Sequence, residues 1–121
     1  MRYFAYCTLL DEAEMHRFCP GAVAGEAGTI AGWRVGFARH SAAGGGCQLL
    51  PEPGHLVHGL LWELDDAEAI ARDELSGVPR GLYARIAVDV TTASGTIPAV
   101  TYLIPSPLGP FTPSADYVRP I

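Results

Sequence analysis

Cys7 and Thr8 follow the apolar run Arg2–Tyr6 and precede Asp11, Glu12 and Glu14, an acidic stretch that suits the start of a helix. A thiol at a strand end beside a helix N-terminus has a lowered pKa, and its thiolate attacks an acyl carbon or a Michael acceptor. The competing role for Cys7 is packing, because cysteine is a small apolar residue and buried examples are inert. Cys19 and Cys47 have no such helix start beside them and are expected to pack. Three cysteines, an odd number at spacings unlike a disulfide framework or a zinc knuckle, point to free thiols in a reducing, cytoplasmic setting. His55 and His58 stand three apart on an expected strand, which sends them to opposite faces, so no shared metal is expected. His16 and His40 are isolated and expected at the surface. Glu63 closes an alternating strand, where its carboxylate either faces inward as a titratable group or outward into water. No cofactor is expected from these residue types.

The elements that must position these groups are mostly strands, with two helices. Arg2–Tyr6 reads as a short apolar strand, and Asp11–Phe18 as a helical turn stopped by Cys19-Pro20-Gly21. Ala22–His40 is strand material punctuated by Gly25, Gly28, Gly32 and Gly36, a pattern suited to bulged, strongly curved strands. Ser41–Gly46 is expected to turn, Cys47–Leu50 to form a short strand, Pro51–Gly54 to turn again and Leu56–Leu64 to form a longer strand. Asp65 with Glu68 three residues on makes a capping-box signal for a helix that Gly77 ends. Ala67, Ile70, Ala71 and Leu75 recur at helical spacing and predict its apolar face. Residues 83–92 alternate, with Tyr83, Arg85, Ala87 and Asp89 on one side and Ala84, Ile86, Val88 and Val90 on the other. A last strand, 97–104, precedes the proline-rich stretch Pro105–Pro113, and the end, 114–121, suits one helical turn.

Composition narrows the partners. A chain of 121 residues makes one domain, 1–121, and buries roughly two-thirds of its unfolded surface without a metal or disulfide staple. The net charge of −5 and eight Lys plus Arg without a basic cluster argue against nucleic acid. No signal peptide is expected at the N-terminus, and no run approaches the roughly 20 apolar residues of a membrane helix. Neither a nucleic-acid nor a membrane partner is therefore expected.

Taken in order, "YFAY", "CP", "AGWRVGF", "PEPGHLVHGLLWELD", "DELSGV", "GLYARIAVDV", "AVTYL" and "PSADY" resemble the gamma-glutamylcyclotransferase-like family along nearly the whole chain. The resemblance implies an α+β fold: a small, distorted mixed β-barrel with flanking short helices and a pocket at one barrel end. It also implies that the first strand leads into a "YGSN"-like loop whose backbone N–H groups hold the acyl part of the substrate and stabilise a developing oxyanion. A glutamate in a helix-ending "D-E-x-E-G" pattern then acts as general base, and 5-oxoproline is released.

This chain departs from that pattern in both places. Tyr6-Cys7-Thr8-Leu9 stands where the family has "YGSN", and Asp73-Glu74-Leu75-Ser76-Gly77 puts Ser76 where the glutamate belongs. Glu74 points about 160° away from that position on a helix of 3.6 residues per turn. Ordinary cyclotransferase activity is therefore not expected. On the resemblance, Tyr6, Cys7, Thr8, Leu9 and Tyr102 are the substrate-binding candidates, and Cys7, Ser76, Tyr83 and Glu63 the catalytic ones. Ser76 either orients a substrate or water through its hydroxyl or is simply a polar helix end. Tyr83 and Tyr102 either serve the pocket or pack the barrel with their hydroxyls at its rim.

Two functional classes follow. One is an enzyme on this scaffold, repurposed for a cyclisation, acyl-transfer or elimination step in specialised metabolism. The other is a non-catalytic small-molecule-binding or interaction protein that retains the fold.

Overall fold

The computed structural model describes residues 1–42 and 44–120. Position 43, inside the expected turn 41–46, and position 121, at the end of the expected C-terminal turn, lie outside the described residues. Five strands close into a mixed barrel in the order β1-β3-β2-β4-β5: β1 Arg2–Ala5, β2 Val23–Ser41, β3 Gly44–Glu63, β4 Ala84–Thr92 and β5 Gly95–Leu103. The ladders are antiparallel except β1 with β5, which pair in parallel at Tyr3↔Val100 and close the ring. Around it lie α1 Glu12–Phe18, α2 Asp66–Ser76 and α3 Ala115–Val118. Among the described residues no helix is long and apolar enough to cross a membrane.

β1 reads as an unbroken apolar run because both of its faces are covered. Phe4 packs inside the barrel with Ile30, Leu49, Val57, Val88 and Val90, whereas Tyr3 and Ala5 pack outside it with Met15, Cys19, Trp62 and Leu64. β4 behaves as its alternation predicts, with Val88 and Val90 buried and Arg85, Ala87 and Asp89 exposed. The helix ends also form as expected. Asp11 Oδ1 accepts the Glu14 N–H at 3.0 Å, and Asp65 and Glu68 complete a reciprocal capping box. Gly77 ends α2 in the left-handed region, φ 73°.

Two expectations are corrected. Cys47–Leu50 and Leu56–Leu64 are not separate strands, because both halves lie on β2 within one 20-residue β3. The ladder jumps from Trp33↔Pro51 to Ala31↔Leu56. Pro51 and Pro53 offer no N–H to the ladder, and the extra residues are absorbed as a bulge instead of a turn.

The second correction concerns α2. Its predicted apolar face is the outer one, with Ile70 60% and Leu75 45% exposed. The inward face carries Ala69, Arg72, Asp73 and Ser76, at the same helical spacing but mostly polar. Ala69 and Ser76 are buried and Arg72 and Asp73 half-buried, because hydroxyl and guanidinium partners await the polar groups and reduce the usual penalty for taking them from water.

Close approach of β2 to β4 completes the barrel wall. A Cβ at Gly28 would lie 2.5 Å from Val90 Cγ1 and 2.8 Å from the Thr91 carbonyl oxygen. Gly28→Ala is therefore expected to cost about 1–3 kcal/mol, as overpacking against backbone does. An unchanged urea midpoint would show that the two strands can part freely.

Candidate functional site

The C-terminal end of β1, the start of β3, the inner face of α2 and the C-terminal segment enclose a cavity of ≈ 560 Å³. That volume suits a small molecule. Tyr6, Cys7, Thr8 and Leu9 all line it, as do Ser76, Tyr83 and Tyr102, so the structure gathers the expected binding loop and most of the expected catalytic candidates. Glu63 is not among them. Glu63 ends β3 opposite Arg2 at the start of β1, where it is exposed and pairs with Arg2 at 2.9 Å, whereas its neighbour Trp62 is fully buried.

The expected binding loop contains a short 3₁₀ turn, Thr8–Leu10, held from behind. The Trp62 indole N–H donates to the Leu9 carbonyl at 3.2 Å, and the Tyr6 hydroxyl donates to the Tyr102 carbonyl at 2.7 Å. On the other side Cys7 is bonded to Cys47 in a disulfide with a Cα–Cα distance of 6.3 Å. This corrects the expectations of a nucleophilic Cys7 and of free thiols throughout, whereas Cys47 packs in the barrel core as expected but is bonded as well. A disulfide sulfur is not a thiolate, and the argument from unpaired cysteines to a reducing, cytoplasmic setting loses its basis. The pairing escaped the sequence because its partners are 40 residues apart and meet only where β1 and β3 come together at the barrel mouth. Cys19, the free cysteine, is buried, and burial followed by the nearby Glu68 raises its thiol pKa.

Two tyrosines brace the bonded segment. The Tyr83 hydroxyl donates to the Cys47 carbonyl at 2.9 Å, and the Cys47 N–H donates to the Tyr117 hydroxyl at 3.0 Å. Gly46 makes this approach possible, since a Cβ there would sit 2.5 Å from the Tyr83 hydroxyl oxygen. Burial raises the phenol pKa values of Tyr6, Tyr83, Tyr102 and Tyr117. They are neutral donors and acceptors at pH 7 rather than bases.

Arg72 is a charged residue of the cavity wall that sequence reasoning missed, because α2 was expected to face the other way. Its guanidinium lies between two rings, 4.8 Å from the Tyr3 centroid and 4.5 Å from that of Tyr102. One terminal nitrogen donates to the Ser76 hydroxyl, and the other donates to the Tyr3 hydroxyl at 2.9 Å. Burial works against its charge, but Tyr3 and Tyr102 outweigh burial and keep it protonated.

His40 was also missed. It is half-buried on the cavity wall, 5.7 Å from the Tyr83 ring, with Nδ1 buried and without a hydrogen-bond partner. Burial, and then Arg80, lowers its pKa, so the ring is neutral at pH 7. Strand parity carried the signal, because His40 is two residues from buried Ala38 and shares its face.

Asp73 stands behind the wall. It accepts the Tyr102 hydroxyl at 2.6 Å and is paired by Nε and Nη2 of Arg85, at 2.7 and 2.6 Å. Burial raises its pKa, but the hydrogen bonds from Arg85 and Tyr102 outweigh burial and leave it below the ordinary aspartate value. A depressed carboxylate pKa contributes stability that is fully present above the unfolded value, about 3.9, and is lost as pH falls through the folded one. Urea midpoints followed from neutral pH down through this window are expected to fall more steeply for the native chain than for Asp73→Asn. Parallel profiles would show that the pair adds nothing.

Comparison with known proteins places this geometry. The family model described as gamma-glutamyl cyclotransferase, AIG2-like, matches residues 3–119. A Bos taurus gamma-glutamylcyclotransferase is 27% identical over 99 residues, 77% of this chain and 53% of the bovine protein, so the chain spans about half the length of that relative. A solved gamma-glutamyl cyclotransferase superposes with a TM-score of 0.88 at 27% identity, covering 97% of this chain and 73% of the other. An uncharacterized protein from Homo sapiens gives 0.86 at 28% identity, covering 96% and 72%.

Proposed function

Because this chain belongs to the gamma-glutamyl cyclotransferase, AIG2-like family, we propose that it keeps the family's small-molecule pocket while its chemistry is no longer 5-oxoproline release. The observation that carries this reading is the donation from Arg72 to the Ser76 hydroxyl. On the resemblance, Ser76 occupies the place of the proton-abstracting glutamate. A hydroxyl that accepts from a guanidinium is not a base at neutral pH, and a cation beside it opposes removal of a proton to that point. Binding of a small molecule is the role best supported, since the expected nucleophile Cys7 is held in a disulfide.

A second reading, turnover by another reaction, is favoured by one group. His40 lines the cavity, and burial lowers its pKa so that the ring is neutral at pH 7 and can take up a proton there. Cyclisation or elimination in specialised metabolism would use it.

Incubation of the purified, oxidised protein with gamma-glutamyl amines and gamma-glutamyl dipeptides is expected to release no 5-oxoproline above the uncatalysed rate. Turnover in the ordinary enzymatic range, roughly 1 to 1,000 per second, would overturn the proposal.

A further inference from the structure

The charges around the cavity are not equally satisfied. At its mouth Arg17 pairs with Glu14 at 3.5 Å, and Arg119 pairs with Asp116. Asp73, next to Arg72 in the chain, is taken up by Arg85 and Tyr102. Arg72 makes no ion pair among the described residues. Of the five N–H donors a guanidinium carries, one is used by Ser76 and one by Tyr3, and the Nε donor is buried without a partner.

A cation removed from water with an unused donor is costly, and stacking on two rings offsets only part of that cost. The arrangement is preorganised, because the guanidinium plane is set by Tyr3 and Tyr102 before any ligand arrives. Apart from the mutually paired Glu14, Arg17, Asp116 and Arg119, the cavity is lined largely by aromatic rings, apolar side chains and hydroxyls. A planar fork with spare donors matches a carboxylate, and tyrosine walls match a flat, apolar body attached to it.

We infer that the cavity is a carboxylate-binding site in which Arg72 pairs with the acid group of a small aromatic or unsaturated monocarboxylate. This names the ligand class of the pocket described above and rests on that reading. The carboxylate displaces the Ser76 hydroxyl from the guanidinium or adds beside it, and the apolar body lies between Tyr83 and Tyr102.

Isothermal titration of the full chain, disulfide intact, tests the inference with 3-phenylpropanoate and its neutral counterpart 3-phenylpropanamide. The acid is expected to bind at least roughly tenfold more tightly, the difference a charge-assisted fork supplies over a neutral contact. Arg72→Met is expected to abolish that preference. Ser76→Ala, which frees one guanidinium nitrogen, is expected to bind the acid as well as the native chain does or better. It serves as the readout if Arg72→Met fails to fold. Equal binding of acid and amide, no binding of either at millimolar concentration, binding of inorganic phosphate but not the acid, or an acid preference that survives Arg72→Met would each overturn the inference. The two proposals fail separately. Release of 5-oxoproline alongside Arg72-dependent acid binding sinks only the first, whereas loss of acid preference without 5-oxoproline release sinks only the second.

Discussion

Reduction of the Cys7–Cys47 bond is expected to lower stability by roughly 4 kcal/mol, the chain-entropy value for a loop of about this length, the separation being 40 residues. For a domain of this size the melting temperature should fall by about 10–20 °C. The effect reaches the cavity, because the bond ties the cavity-lining segment after β1 to β3 at the point where Tyr83 and Tyr117 hold the Cys47 backbone. Calorimetry with and without reductant, and of Cys7→Ser, measures it. Alkylation with peptide mapping supplies the local readout: Cys7 is expected to label only after reduction, and Cys19 only after unfolding. A melting temperature indifferent to reductant would show that the bond constrains nothing.

Trp62→Ala is expected to cost about 3–5 kcal/mol, the range for deleting a fully buried large aromatic. Trp62 has no exposed surface and packs among Tyr3, Met15, Cys19 and Leu64, so the vacated space has rigid walls on several sides. Its indole N–H is also the support of the Leu9 carbonyl behind the binding loop. Trp62→Phe separates the two roles. It keeps most of the ring and leaves the carbonyl unpaired, a penalty of about 1–3 kcal/mol. Urea unfolding of both variants decides between them: equal losses would mean that the hydrogen bond, and not the packing, holds the loop in place.

The outer apolar stripe of α2 shows why helical spacing alone misled. Ala67, Ile70, Ala71 and Leu75 form a regular face, and periodicity predicts that such a face is buried. The inward face went instead to half-buried Arg72 and Asp73 and buried Ser76, whose partners Tyr3, Arg85 and Tyr102 come from β1, β4 and β5. Sequence spacing measures how apolar a face is, but it cannot measure how well a polar face will be matched by distant strands.

What the amino-acid order determined by itself was local. Asp11 caps α1, Asp65 and Glu68 box α2, Gly77 stops it, and the alternation of 83–92 sorts Val88 and Val90 from Arg85 and Asp89, because caps and strand parity involve neighbours within a few residues. The order of several such landmarks also carried the family and its barrel. Only the tertiary structure decided that Cys7 is bonded to Cys47, that Glu63 lies away from the cavity and that Arg72 enters it. Each of those outcomes depends on closing β1 against β3 and β5, which brings together groups between 40 and 96 residues apart, such as Tyr6 and Tyr102. Contacts at that range are set by barrel closure and by which polar partners it delivers, and no local pattern encodes them.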